Sequence, residues 1–169
     1  MSKSNKSIAH TLARAAVLTS VAMILSYVES LIPAFVAIPG VKVGLANTVT
    51  VFALYMLGAK YAIAISLVRV LLSGLLFGNP LSIIYSLCGA LLSFLGMLLL
   101  KKVGRFSPVG VSVGGGVLHN LGQILAAALV MKTAAVFAYL PILAVSGTMA
   151  GVVIGIASGL LIMRLKKLF

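Results

Sequence analysis

The side chains able to do chemistry in this chain are few, and they sit among residues that cannot. Gly114-Gly115-Gly116 is followed by His119, Asn120 and Gln123 inside a stretch that is otherwise apolar. His119 and Gln123 are four residues apart and share one face of a helix, with Asn120 beside them. Polar groups in hydrocarbon need partners or water, so the cluster is either a ligand cavity or a polar clasp between helices, and the sequence leaves both open. His119 has no second His, Cys or acid at ligand spacing, so no metal site is expected. Arg69 lies in a second apolar stretch and keeps its charge at any physiological pH. An arginine in such a place is a binding-site candidate by default, and it favours an anionic ligand.

The surroundings define the solvent. Of 169 residues, 62% are hydrophobic and 8% charged, with a mean hydropathy of +1.26, which excludes a water-soluble globule. Thirteen Lys and Arg face one acid, Glu29, for a formal charge of +12, and Asp is absent. Aspartic dyads, carboxylate-held Mg²⁺, Asp-containing triads and paired-carboxylate glycosidases therefore have no residues to use. No enzyme activity, cofactor or nucleotide-binding loop is expected. Cys88 is the single cysteine, so no intramolecular disulfide can form. The basic residues fall in short clusters between apolar stretches, as topology signals do, and not on one polar face suited to nucleic acid.

The pattern predicts an all-α integral membrane protein, one domain over residues 1–169, with six spans. They are Leu12–Leu31, Gly44–Leu57, Tyr61–Leu76, Leu81–Leu100, Gly110–Met131 and Pro141–Met163. Fusing the second and third would give a helix of about 50 Å, too long for one crossing, so the break is placed at Gly58-Ala59-Lys60. Six spans put Lys3, Lys6, Arg14, Lys60, Lys101, Lys102, Arg105, Arg164, Lys166 and Lys167 on the cytoplasmic side, with Lys42 and Lys132 outside. The fused arrangement would leave more basic residues outside than inside. Both termini are therefore expected in the cytoplasm.

Depth along each span follows from the rise per residue. Arg69 and His119 fall near the midplane, while Glu29, Asn47 and Tyr85 lie at the outer mouth and Asn79 in the outer Gly78-Asn79-Pro80 turn. The result is a polar column open to the outside. Glu29 comes out about 14 Å shallower than Arg69, which makes Lys42 its nearer partner. The apolar first loop, from Ile32 to Val43 with Pro33, Pro39 and Gly40, is expected to fold over the mouth as a lid or a plug. Gly44-Leu45-Ala46-Asn47 then opens a helix whose N-terminus suits an anion. Two stripes of small residues, Gly147, Gly151, Gly155 and Gly159 in the last span and Ala9, Ala13 and Ala16 in the first, serve either internal packing or a separate membrane partner.

Three runs in order resemble the Gx transporter family, also described as heptaprenyl diphosphate synthase component I. They are Pro39-Gly40-Val41-Lys42-Val43-Gly44-Leu45-Ala46-Asn47, Leu75-Leu76-Phe77-Gly78-Asn79-Pro80 and Gly114-Gly115-Gly116-Val117-Leu118-His119-Asn120-Leu121-Gly122-Gln123. That family is similar to the S components of energy-coupling factor vitamin transporters. The resemblance implies a six-helix bundle, an outward pocket under the first loop, and docking through Ala9, Ala13 and Ala16 on a coupling protein served by ATPases. The uptake of a small anionic or amphipathic metabolite through Arg69, Asn120, Gln123 and Asn47 is the first expectation. The synthase name implies instead a non-catalytic membrane subunit that recruits a cytosolic prenyl synthase through Lys101, Lys102, Arg105, Arg164, Lys166 and Lys167.

Overall fold

A computed structural model describes residues 3–31 and 44–167, with side chains from residue 8 onward. The described residues form helices α1 (Lys3–Leu31), α2 (Asn47–Met56), α3 (Ala59–Phe77), α4 (Pro80–Val103), α5 (Pro108–Met131) and α6 (Leu140–Leu165), with a 3₁₀ turn at Ala135–Tyr139. Lys42 and the expected lid over residues 32–43 lie outside them.

Local chemistry sets the boundaries. Asn79 Oδ1 accepts from the Ser82 amide at 2.8 Å while Ser82 Oγ accepts from the Asn79 amide at 3.1 Å, a reciprocal cap with Pro80 in the first turn of α4. Ser107 caps α5 ahead of Pro108 with a single bond, its Oγ accepting from the Gly110 amide at 3.3 Å. Gly58, at φ 91°, makes the turn between α2 and α3 in a conformation that side chains resist. The break thus falls at Leu57 and Gly58, and Ala59 and Lys60 already belong to α3.

Five helices, α1 and α3 to α6, carry segments long and apolar enough to cross a bilayer. The second expected span departs from this. Its helix has ten residues, about 15 Å, or half the hydrocarbon thickness. Val49, Thr50, Val51, Phe52, Ala53 and Leu54 are all buried, so α2 is enclosed by protein on most sides and packs on α6, α3 and α1. Among the described residues six α-helices are present, five of them long and apolar enough to cross a bilayer. The outer surfaces of the long helices are apolar and uncovered, with Leu129 79% and Leu75 73% exposed, as lipid contact requires.

Glycine brings the later helices together. A Cβ at Gly147, Gly151 or Gly155 would lie within 2.5–2.8 Å of the α5 backbone, at Gly116 O, Val113 Cα and Val109 Cα. The same holds between α4 and α5, where a Cβ on Gly122 would meet Cys88 O at 2.6 Å. The stripe on α6 is therefore a seam with α5 over three of its four positions. Gly159 has no atom within 4 Å of its would-be Cβ and lies beyond the seam. On α1 the inward face is Ala15 and Ala22, while Ala9, Ala13 and Ala16 are exposed.

Contacts between helix ends sort the charges. Tyr27 of α1 meets Phe77 of α3 at a ring separation of 5.3 Å, so the C-terminal ends of these helices lie together. At the opposite end, Lys101 Nζ donates to Leu54 O at 2.6 Å, joining the end of α4 to that of α2, and Gly155 joins α6 to the start of α5. Lys60, Lys102, Arg105, Arg164, Lys166 and Lys167 therefore gather at one end of the bundle, and Lys132 lies at the other.

Candidate ligand cavity

One cavity draws on all six helices. Glu29 comes from α1, Asn47 from the start of α2 with Gly44 before it, and Arg69 from the middle of α3. Ser86 comes from α4, Gly116, His119, Asn120 and Gln123 from α5, and Gly147, Ala150 and Ile154 from α6. Its volume is about 540 Å³, counting the space open to solvent. It lies in the half of the bundle away from the basic end, since it takes residues from the end of α1, the starts of α2 and α4, and the first half of α6.

The charged centre is built by hydrogen bonds from a neighbouring amide. Arg69 Nη2 donates to Asn47 Oδ1 at 2.8 Å, while Arg69 Nε is buried with no partner among the described residues. Glu29 Oε1 accepts from the Gly44 amide at the entry to α2. Glu29 and Arg69, expected about 14 Å apart in depth, both line this cavity without forming an ion pair with each other. Rise per residue measures position along an axis and ignores the reach of an arginine side chain. The bond to Asn47 draws the guanidinium toward the level of the α2 N-terminus.

The polar face of α5 divides its work. Asn120 Nδ2 donates to Leu143 O at 2.6 Å and to Ser146 Oγ at 3.3 Å, so Asn120 fastens α5 to α6 while bordering the cavity. Gln123 borders the same space with no hydrogen bond among the described residues. Clasp and cavity, alternatives in the sequence, coexist on one helix turn.

Six of the nine expected binding residues, Glu29, Asn47, Arg69, His119, Asn120 and Gln123, meet here. Asn79 does not, because its side chain is committed to the α4 cap. Tyr85 does not either. Its neighbour Ser86, about 100° further round α4, faces the cavity instead. Lys42 lies outside the described residues. Sequence reasoning passed over Ser86, Ala150 and Ile154, and it read the Gly44 turn as suited to an anionic ligand where its amide instead bonds the Glu29 carboxylate. Lys101 also sits differently from its expected place in a recruiting surface. Its ammonium is half-buried against Leu54 O and lies 4.7 Å from the centre of the Tyr55 ring.

Residues 18–161 match the family model for heptaprenyl diphosphate synthase component I. The chain belongs to that family. The match runs from the middle of α1 to the last turns of α6 and so includes every residue lining the cavity. No curated protein and no solved structure is significantly similar to the chain.

Proposed function

We propose that this chain is a non-catalytic membrane subunit that binds a small metabolite through an anionic group, in the cavity around Arg69. The observation that carries this reading is the Arg69 guanidinium, held from one side by Asn47 and left with a buried, unpartnered Nε. A cation kept in a buried setting with an unsatisfied donor has a ready partner in an oxyanion. The family name supports a working partnership with a separate catalytic subunit of a prenyl synthase. The chain itself has no Asp for Mg²⁺-diphosphate chemistry. The positive-inside tendency supports a cytoplasmic basic end, with Lys102, Arg105, Arg164, Lys166 and Lys167 facing that partner and the cavity facing outward.

A second reading, uptake of the metabolite with a coupling protein and ATPases, is favoured by one observation. The cavity occupies the half of the bundle opposite the basic end, where a solute from outside would enter. Under this reading the exposed Ala9, Ala13 and Ala16 on α1 would meet the coupling protein.

Gentle purification from native membranes followed by native mass spectrometry tests both. Wild-type protein is expected to retain a small molecule that Arg69→Ala lacks while remaining folded, and equal retention overturns the site. A copurifying prenyl synthase subunit that is lost when the exposed basic residues are changed to Gln supports the first partnership. Coupling protein and ATPases in its place support the second.

A further inference from the structure

Glu29 and Arg69 share the cavity as opposite charges that do not pair. With His119 counted neutral, they are the two formally charged side chains among its described lining residues. Glu29 Oε1 takes the Gly44 amide and Arg69 Nη2 takes Asn47, and neither side chain makes an ion pair among the described residues. A gap between unlike charges in an apolar bundle constrains what can fill it.

A simple anion would satisfy Arg69 and leave the cavity with an excess negative charge at Glu29. A simple amine would do the reverse. Uncompensated charge in a poorly solvated space is unfavourable, so charge balance selects a ligand that carries both signs. We infer that the cavity is a site for a zwitterionic small molecule, whose oxyanion bonds the Arg69 guanidinium and whose ammonium bonds the Glu29 carboxylate. The inference rests on the ligand-binding role proposed above and specifies the ligand's chemistry.

Other lining groups fit a compact polar molecule. Gln123 and Ser86, on α5 and α4, have no hydrogen bonds among the described residues and can read its neutral middle. Gly116 and Gly147 form a flat wall where α5 and α6 meet, and no Phe or Tyr is among the described lining residues. Ala150 and Ile154 give too little apolar surface for a prenyl chain.

The test uses purified full-length protein in lipid nanodiscs and calorimetric binding of matched probes. These are the ω-amino acids from glycine to 6-aminohexanoate, the carboxylates and amines of equal length, and isopentenyl diphosphate. At one chain length the zwitterion is expected to bind at least about tenfold more tightly than the carboxylate or the amine. Glu29→Gln, which keeps an oxygen for the Gly44 amide, is expected to remove that preference and leave the carboxylate bound as well as the zwitterion. The inference is overturned if no zwitterion outbinds its matched carboxylate, including the case in which none binds, or if Glu29→Gln retains the preference. Carboxylate or isopentenyl diphosphate binding that is lost in Arg69→Ala, with no zwitterion advantage, would overturn this inference and leave the anion-binding role standing. Absence of any Arg69-dependent binding would remove both.

Discussion

At Arg69 a permanent cation sits among apolar helices beside an amide, where a carboxylate would have neutralised it more fully. Under the proposed role, that choice leaves the guanidinium oriented and available to a ligand anion. Asn47→Asp should therefore give Arg69 an internal partner: the variant is expected to unfold at or above the wild-type temperature in detergent and to lose the retained ligand. Retention at the wild-type level would show that the charge of Arg69 is not what the ligand reads. Asn47→Ala removes one charge-assisted bond and is expected to cost about 1–3 kcal/mol of stability by thermal unfolding. Lys101→Met keeps the aliphatic stem but leaves Leu54 O unbonded, for an expected loss of about 1 kcal/mol with no effect on partner recruitment. Much of the site was legible at this scale. An Arg, a His and a Gln stand out in apolar runs because hydrocarbon penalises them, and they do converge. Ser86 was not legible, since serine is unremarkable in a membrane helix, and the Gly44 turn was legible as a place for an anion but not as the seat of Glu29. Asn79 misled because one side chain can serve a helix cap or a ligand, and only the Ser82 geometry separates the two.

Among the helices, the glycine seam of α5 and α6 makes a graded prediction. A Cβ at Gly151 would stand 2.5 Å from Val113 Cα, a backbone atom that cannot swing aside, whereas Gly159 has nothing within 4 Å. Gly151→Val is expected to cost at least about 1–3 kcal/mol, and Gly159→Val to stay within about 0.5 kcal/mol of wild type, by thermal unfolding in one detergent. Equal losses would mean that the spacing of four acts through helix propensity and not through contact. The five long helices were legible because a lipid-facing segment must be apolar along its whole length, and their N-terminal signals, Asn79-Pro80 and Ser107-Pro108, are local. The extent of α2 was not. Residues 44–57 are equally apolar whether the helix crosses the bilayer or ends inside the protein. What encloses α2 is contact with α1, α3 and α6, which no local pattern records.

For the molecule as a whole, the gathering of Lys60, Lys102, Arg105, Arg164, Lys166 and Lys167 at one end predicts a fixed orientation. In a Cys88→Ser background, Lys132→Cys is expected to react with a membrane-impermeant thiol reagent added to intact cells, and Lys102→Cys only after the cells are opened. The opposite pattern would invert the bundle and point the cavity inward. Enclosure of α2 also bears on how the protein is made. Ten residues are too few to hold a segment across a bilayer unaided, and Ser158 of α6 donates to Thr48 O of α2 at 3.1 Å, 110 residues further along the chain. During synthesis, the helix that brings Asn47 to Arg69 waits for the last helix to emerge before its seat is complete. A chain stopped before α6 would carry most of its membrane anchors and yet leave α2 half-sheltered, so the enclosure of α2 is complete only when the final helix has packed.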